Sequence, residues 1–298
     1  MKLATTTGDF GRWATTYEEI LDLIRNAGFR YVDASISKRI CADPDWRDEA
    51  KRIRDHAEKL GVQFVQAHSP GGNALRLDKQ DELTEITNRS IEICQILGVP
   101  QTVVHAGFRQ ELDKNGFYKE NLAFYRRLFP IMEKTGVHVL IENSTRANLG
   151  EAYYFYTGEQ MADFLHYADH PLLHALWDTG HGNVEGEQYA HLMALGKELY
   201  GIHVHDNNGR ADEHTLPYFG TLNMDDLMHG LLDANYQGCF TFEAIRPLRP
   251  SDSHHGKRRE FPQDMRLSEP TLEMQIGVER LLYTIGKCCL NAYGVFEE

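Results

Sequence analysis

Short runs of β-branched and aromatic residues alternate along this chain with longer stretches in which apolar positions recur every three or four residues. That alternation is the signature of a parallel sheet whose strands are joined by crossover helices. It predicts strands over Lys2 to Thr6, Tyr31 to Ser35, Val62 to His68, Thr102 to His105, Val137 to Glu142, His174 to Asp178, Leu199 to His205 and Cys239 to Glu243. Helices are predicted over Tyr17 to Ala27, Trp46 to Leu60, Glu82 to Leu97, Asn121 to Lys134, Glu159 to Tyr167, Glu187 to Lys197, Asp225 to Ala234 and, at the end, Leu272 to Leu290. Gly28, Gly61 and Gly136 each follow a predicted helix, where a left-handed residue ends one element before the next strand begins. Eight such units without a linker or low-complexity tract predict one (β/α)8 TIM barrel over residues 1–298. Arg246 to Pro270, with its prolines and adjacent histidines, reads as a long irregular loop after the eighth strand.

Composition narrows the field. A chain of 298 residues is within the range of a single α/β barrel, and 42% hydrophobic with 25% charged residues is ordinary for a water-soluble protein. No apolar run is long enough to span a membrane, and the first residues carry no signal-like stretch, so a cytoplasmic, unprocessed start is expected. The five cysteines form no C-x-x-C pair, which fits reduced thiols in packing roles. A net charge of -13 argues against a broad nucleic-acid footprint but leaves a small anionic ligand open.

The candidate chemistry lies where the strands end. His68, His105, Glu142, Asp178, His205 and Glu243 follow one another at intervals of 37, 37, 36, 27 and 38 residues, about one βα unit each. In a barrel, strand C-termini carry the active site, so these side chains converge on one face, whereas His138 and His174 at strand starts face the other. Glu142, Asp178 and Glu243 close apolar runs, where a carboxylate is costly unless a cation or partner compensates it. Two glutamates, an aspartate and an imidazole suit a divalent ion: Mn, Mg, Co or Zn. His203 and His205 alternate on the same strand face. His205 is the favoured ligand, with His203 the alternative. Arg210 and Arg246 are candidates for binding sugar hydroxyls or a phosphate. Phe108, Trp13 and Trp177 are candidates for an apolar wall, core packing being the plainer reading of Trp177. The turn Asn207-Asn208-Gly209-Arg210 offers a weak anion cradle.

Through Trp177-Asp178-Thr179-Gly180-His181, His203-Val204-His205-Asp206-Asn207, Phe242-Glu243-Ala244 and Ile141-Glu142-Asn143, the chain resembles the xylose isomerase-like barrel superfamily over nearly its whole length. Its sugar (or sugar phosphate) isomerase and epimerase branch is the most similar. The resemblance implies metal ligation by Glu142, Asp178, His205 and Glu243, with substrate contacts from His181 and Arg210. It departs from the ketose 3-epimerases after Glu142, where Asn143-Ser144-Thr145-Arg146-Ala147-Asn148 supplies no second glutamate. The zinc-dependent apurinic endonucleases are similar at His68, His105, Glu142, Asp178, His181, a His203 or His205 ligand, Asp212, His214 and Glu243, which implies a three-metal site.

The expected function is a divalent-metal-dependent sugar isomerase or epimerase, with Glu142 and Glu243 exchanging a proton through an enediolate. His68, His105, His181 and His203 are the expected substrate-binding imidazoles, and His181, Asp212 and His214 a second metal site. Rival readings are a sugar or polyol dehydratase, an apurinic endonuclease-like phosphodiesterase, and a sugar-binding barrel without turnover. The expected partner is a small sugar or sugar phosphate, with pairing of barrels into a homo-oligomer and no membrane.

Overall fold

The computed structural model describes residues 1–245, Leu248 and residues 270–298. Of the predicted long loop only Leu248 and Pro270 are among the described residues, and Arg246 lies outside them. Eight strands run β1 Leu3–Thr6, β2 Tyr31–Ser35, β3 Gln63–His68, β4 Gln101–Val103, β5 His138–Glu142, β6 Leu173–Asp178, β7 Leu199–His203 and β8 Phe240–Phe242. All neighbours pair in parallel, in the order β7-β6-β5-β4-β3-β2-β1-β8. The ring closes where Val204 bridges Phe242 and the Glu243 amide donates to the Val204 carbonyl at 3.2 Å. The chain is therefore a (β/α)8 TIM barrel with its helices outside.

Alternation along each strand sorts the residues into two sets. Outward side chains, among them Val139, Ile141, Ala175, Trp177 and Ile202, are buried against the helices. Trp177 belongs to this set, its indole N–H donating to Gln188 at 2.8 Å, so it packs in the core. The inward set begins with a small apolar layer of Val103, Leu140 and Leu176. Gly201 completes that layer because a Cβ there would stand 2.5 Å from Gln66 Oε1 and 3.0 Å from both leucines. Two residues further along each strand, at the same inward phase, come His105, Glu142, Asp178 and His203. The barrel is thus plugged with hydrocarbon below and polar above.

Most predicted boundaries shift by only a residue or two, but three differences matter. The stretch predicted as one helix over Asn121 to Lys134 is two helices, Lys114–Arg126 and Phe129–Thr135. Pro130 sits in the first turn of the second; in a continuous helix its ring would clash with the carbonyl four residues earlier. The strand predicted to end at His205 ends at His203, beyond which only single bridges continue. An unpredicted helix, Thr179–Glu185, begins at the end of β6. Asp178 caps it, accepting the His181 amide at 2.7 Å. Among the described residues no helix is long and apolar enough to cross a membrane.

Close approach makes Gly180 in that helix irreplaceable, since an added Cβ would fall 1.9 Å from the His205 ring, which is fully buried. Gly180→Ala should cost about 1–3 kcal/mol through overpacking. Urea denaturation checks this, and an unchanged midpoint would contradict the packing described.

Candidate metal centre

Side-chain amides and hydroxyls lock the strand ends around the site before any ionisable group is considered. Asn143, just after β5, accepts the Asp178 amide at 2.6 Å and donates to the Asp178 carbonyl at 2.9 Å. Thr179 Oγ1 accepts the His205 amide at 3.2 Å and donates to the His205 carbonyl at 3.0 Å. These bonds hold β5, β6 and β7 in fixed relation where the sheet ladder runs out.

Within that frame Glu142, Asp178, His203 and Glu243 each direct one ligand atom into a common space, all within 4.8 Å of one another. His203 Nδ1 lies 2.8 Å from Glu142 Oε1 and 3.5 Å from Glu243 Oε2. The imidazole that joins the three carboxylates is therefore His203, where the sequence reading favours His205. The cause is register: β6 and β7 pair Asp178 with His203, so His205 sits one layer higher. His205 Nε2 instead lies 3.0 Å from Asp178, and its ring stacks on His214 with centroids 3.9 Å apart.

Two further groups flank the first. His68, His105 and Glu142 form one, and His181, Asp212 and His214 another, while His205, His214 and Glu243 also converge. Three of these imidazoles share a device. His68, His181 and His214 each place Nδ1 2.8–2.9 Å from a backbone carbonyl, of Ser69, Asn143 and Glu243 respectively. A carbonyl can only accept, so Nδ1 carries the proton and Nε2 is turned inward. Ligating histidines are characteristically oriented in this way.

Charge in the site is dense. Burial pushes the Glu142 carboxyl up, but His203 and His105, with hydrogen bonds from His203 and His68, hold it well below the usual carboxylate range. Asp212 is held low against burial by hydrogen bonds from His181 and His214. Burial lowers the imidazoles, yet Asp178 and Asp212 bring His181 up to about 10, Asp212 brings His214 to about 9, and Glu142 brings His68 to about 9. At His105 burial wins over the Glu142 charge and the ring falls to about 4. Asp33 Oδ1, His205 Nδ1 and Asp212 Oδ1 are buried without a hydrogen-bond partner. Oxygen and imidazole donors at this spacing, with orphaned polar atoms among them, fit a divalent ion.

A cavity of about 450 Å³ opens above the cluster. Its polar lining includes Asn73, Ser144, Asn148, His68, His105, His181 and His214, with Phe108, Leu149, Tyr153 and Ile245 as the apolar side. Of the other sequence candidates, neither Trp13 nor Arg210 lines it, and Arg210 is exposed. The Asn207–Arg210 turn does not present its amides to a ligand. The Gly209 and Arg210 amides donate to Asn207 Oδ1 and Asn208 Oδ1, and the Asn208 amide to Glu213. His138 and His174 stand together near Tyr200 at the opposite end, as their strand-start positions predict.

The family model described as xylose isomerase-like TIM barrel matches residues 21–266. The chain belongs to that family. The D-psicose 3-epimerase of Ruminiclostridium cellulolyticum is 20% identical over 243 residues, covering 78% of this chain and 79% of the relative. The crystal structure of a D-psicose 3-epimerase with D-tagatose from Clostridium cellulolyticum H10 superposes with a TM-score of 0.76 at 16% identity, covering 97% of this chain and 99% of that one. A 3-keto-D-glucoside 4-epimerase, YcjR, from E. coli gives 0.71 at 17%, over 95% and 99%. At these identities the structural likeness is one of fold.

Sequence reading missed Asp33 and Gln66. Both are buried inside the barrel, and both contact His203. The signal was present in Tyr31-Val32-Asp33-Ala34-Ser35, a charged residue in the middle of an otherwise uncharged strand.

The imidazole charges make a pH prediction for the protein stripped of ions. Groups raised on folding contribute stability that is complete below their unfolded value of about 6.5 and fades as pH rises through the folded value. For His68, His181 and His214 that window runs from about 6.5 up to about 9 and 10. Chelator-treated protein should therefore melt at a lower temperature near pH 10 than near pH 7. An equal or higher Tm at the alkaline end would contradict the ion pairs.

Proposed function

We propose that this protein is a divalent-metal-dependent sugar isomerase or epimerase. The observation that carries the reading is the placement of two glutamates, Glu142 and Glu243, in one cluster with Asp178 and His203 at the floor of a sugar-sized cavity. The ligand set is Glu142, Asp178, His203 and Glu243. Held by these residues, a divalent ion would supply positive charge to offset the negative charge that develops when a proton leaves the carbon next to a sugar carbonyl.

The chain's own residues handle the proton. Glu142, anionic among its imidazole neighbours and lining the cavity, is the group placed to take a proton from the carbon next to the carbonyl. Glu243, in the same cluster and partly open to the cavity, returns one to the same carbon or its neighbour. His68, His105 and His181 line the cavity as donors and acceptors for hydroxyls. Phe108, Leu149, Tyr153 and Ile245 give the C–H faces of the ring an apolar wall and exclude water from the exchange. The epimerases among its relatives and structural neighbours act on ketoses or a keto-glucoside, which supports a carbonyl-bearing sugar as substrate.

A second reading has a specific observation behind it. The clusters His68–His105–Glu142 and His181–Asp212–His214 border the first, and this set suits two or three zinc ions acting on a phosphodiester. The acidic balance of the chain weighs against a polyanionic partner.

Elemental analysis and incubation with free and phosphorylated ketoses in deuterated water separate the two. The isomerase reading predicts a tightly held ion and deuterium on the carbon next to the carbonyl. Glu142→Gln or Glu243→Gln should slow that exchange roughly 10²- to 10⁴-fold. Two or three zinc ions with no exchange on any sugar would favour the hydrolase.

A further inference from the structure

Of the two residues that sequence reading missed, Asp33 bears on the proton of His203, a role that rests on the reading of the four-residue cluster as the holder of a divalent ion. Asp33 on β2 and Gln66 on β3 stand inside the barrel at 1% and 2% exposure. Asp33 Oδ2 lies 2.9 Å from His203 Nε2 and 2.7 Å from Gln66 Nε2, and the two nitrogens are themselves 2.9 Å apart. Three atoms thus form a closed triangle behind the ring, on the side away from the cluster.

Two hydrogen arrangements satisfy this triangle with a neutral imidazole. In one, Gln66 gives one amide hydrogen to Asp33 and the other to a bare His203 Nε2. The ring proton then sits on Nδ1 and is donated to Glu142 Oε1, 2.8 Å away. In the other, Nε2 carries the proton and donates it to Asp33 beside the Gln66 hydrogen. Nδ1 is then bare and faces Glu142 and Glu243. Only the second arrangement can ligate an ion, because coordination needs a free lone pair on the inward nitrogen.

We propose that Asp33 is the positioning residue of the centre: by accepting Nε2–H in competition with the Gln66 amide, it presents His203 Nδ1 to the ion as a strengthened donor. The other inward-facing imidazoles make the contrast. His68, His181 and His214 are tethered by neutral backbone carbonyls, whereas His203 is tethered by a carboxylate. A carboxylate polarises the ring more strongly, and outer partners of this kind typically change metal affinity 10–100-fold. Coupling also runs the other way. Asp33 Oδ1 has no hydrogen-bond partner, and among the described residues no lysine or arginine ion-pairs with Asp33. Its charge is therefore offset through the imidazole it holds.

The test uses the full chain, stripped with chelator and titrated with manganese(II), beside Asp33→Asn and Asp33→Ala. Both variants should bind manganese roughly 10–100-fold more weakly than wild type. In the zinc-loaded wild type the His203 Nε2–H proton should resonate far downfield, as in a hydrogen bond to a carboxylate, and move upfield in zinc-loaded Asp33→Asn, a signature that a merely structural role would not move. Undiminished affinity in both variants, or a His203 Nε2–H resonance without that downfield shift in the zinc-loaded wild type, would overturn this inference while leaving the metal reading intact. Wild type that binds no divalent ion overturns both. Should the variants fail to fold, the wild-type spectrum decides alone.

Discussion

Carboxylates crowded into a space with little water are the constraint on which this molecule turns. Asp33, Glu142, Asp178, Asp212 and Glu243 meet at one end of the barrel, four of them at the end of or just beyond a strand or in the loop above. In a low-dielectric interior such charges repel strongly and lose their hydration, so each must find a cation or a set of donors. The imidazoles supply part of this compensation, and the depressed carboxyls and raised imidazoles are its electrostatic trace. The four-residue cluster is where a divalent ion would supply the rest.

The scaffold serves that requirement by dividing the barrel axis into layers. Val103, Leu140 and Leu176 fill the lower layer with hydrocarbon, and Gly201 leaves Gln66 room beside them. One inward step further along the same strands stand Glu142, Asp178 and His203, so hydrophobic packing fixes the height at which the charges emerge. Asn143 and Thr179 then bridge neighbouring strand ends, and the Asp178 side chain doubles as a helix cap. Rigid support of this kind keeps like charges close without letting them drift apart.

Much of this was legible in the sequence because the features responsible are local. Apolar runs and the glycines at 28, 61 and 136 mark the strand and helix order, and all three glycines do adopt positive φ. The strand-end residues at regular intervals locate the face. What was not legible depended on relations between segments. His203 and His205 share one inward phase, and only the pairing of β6 with β7 decides which is level with Asp178. Arg210 looks available in sequence, but its turn is closed by Asn207, Asn208 and Glu213, and the residue is exposed and does not line the cavity. Asp33 is two strands removed from any residue in the recognisable motifs, and its role emerges only when β2 and β7 face each other across the barrel.

The most direct test is anomalous diffraction from crystals grown with manganese. A peak coordinated by Glu142, Asp178, His203 Nδ1 and Glu243 is the expected result. A peak ligated by His205 in place of His203, or none within this cluster, would contradict the assignment of the centre.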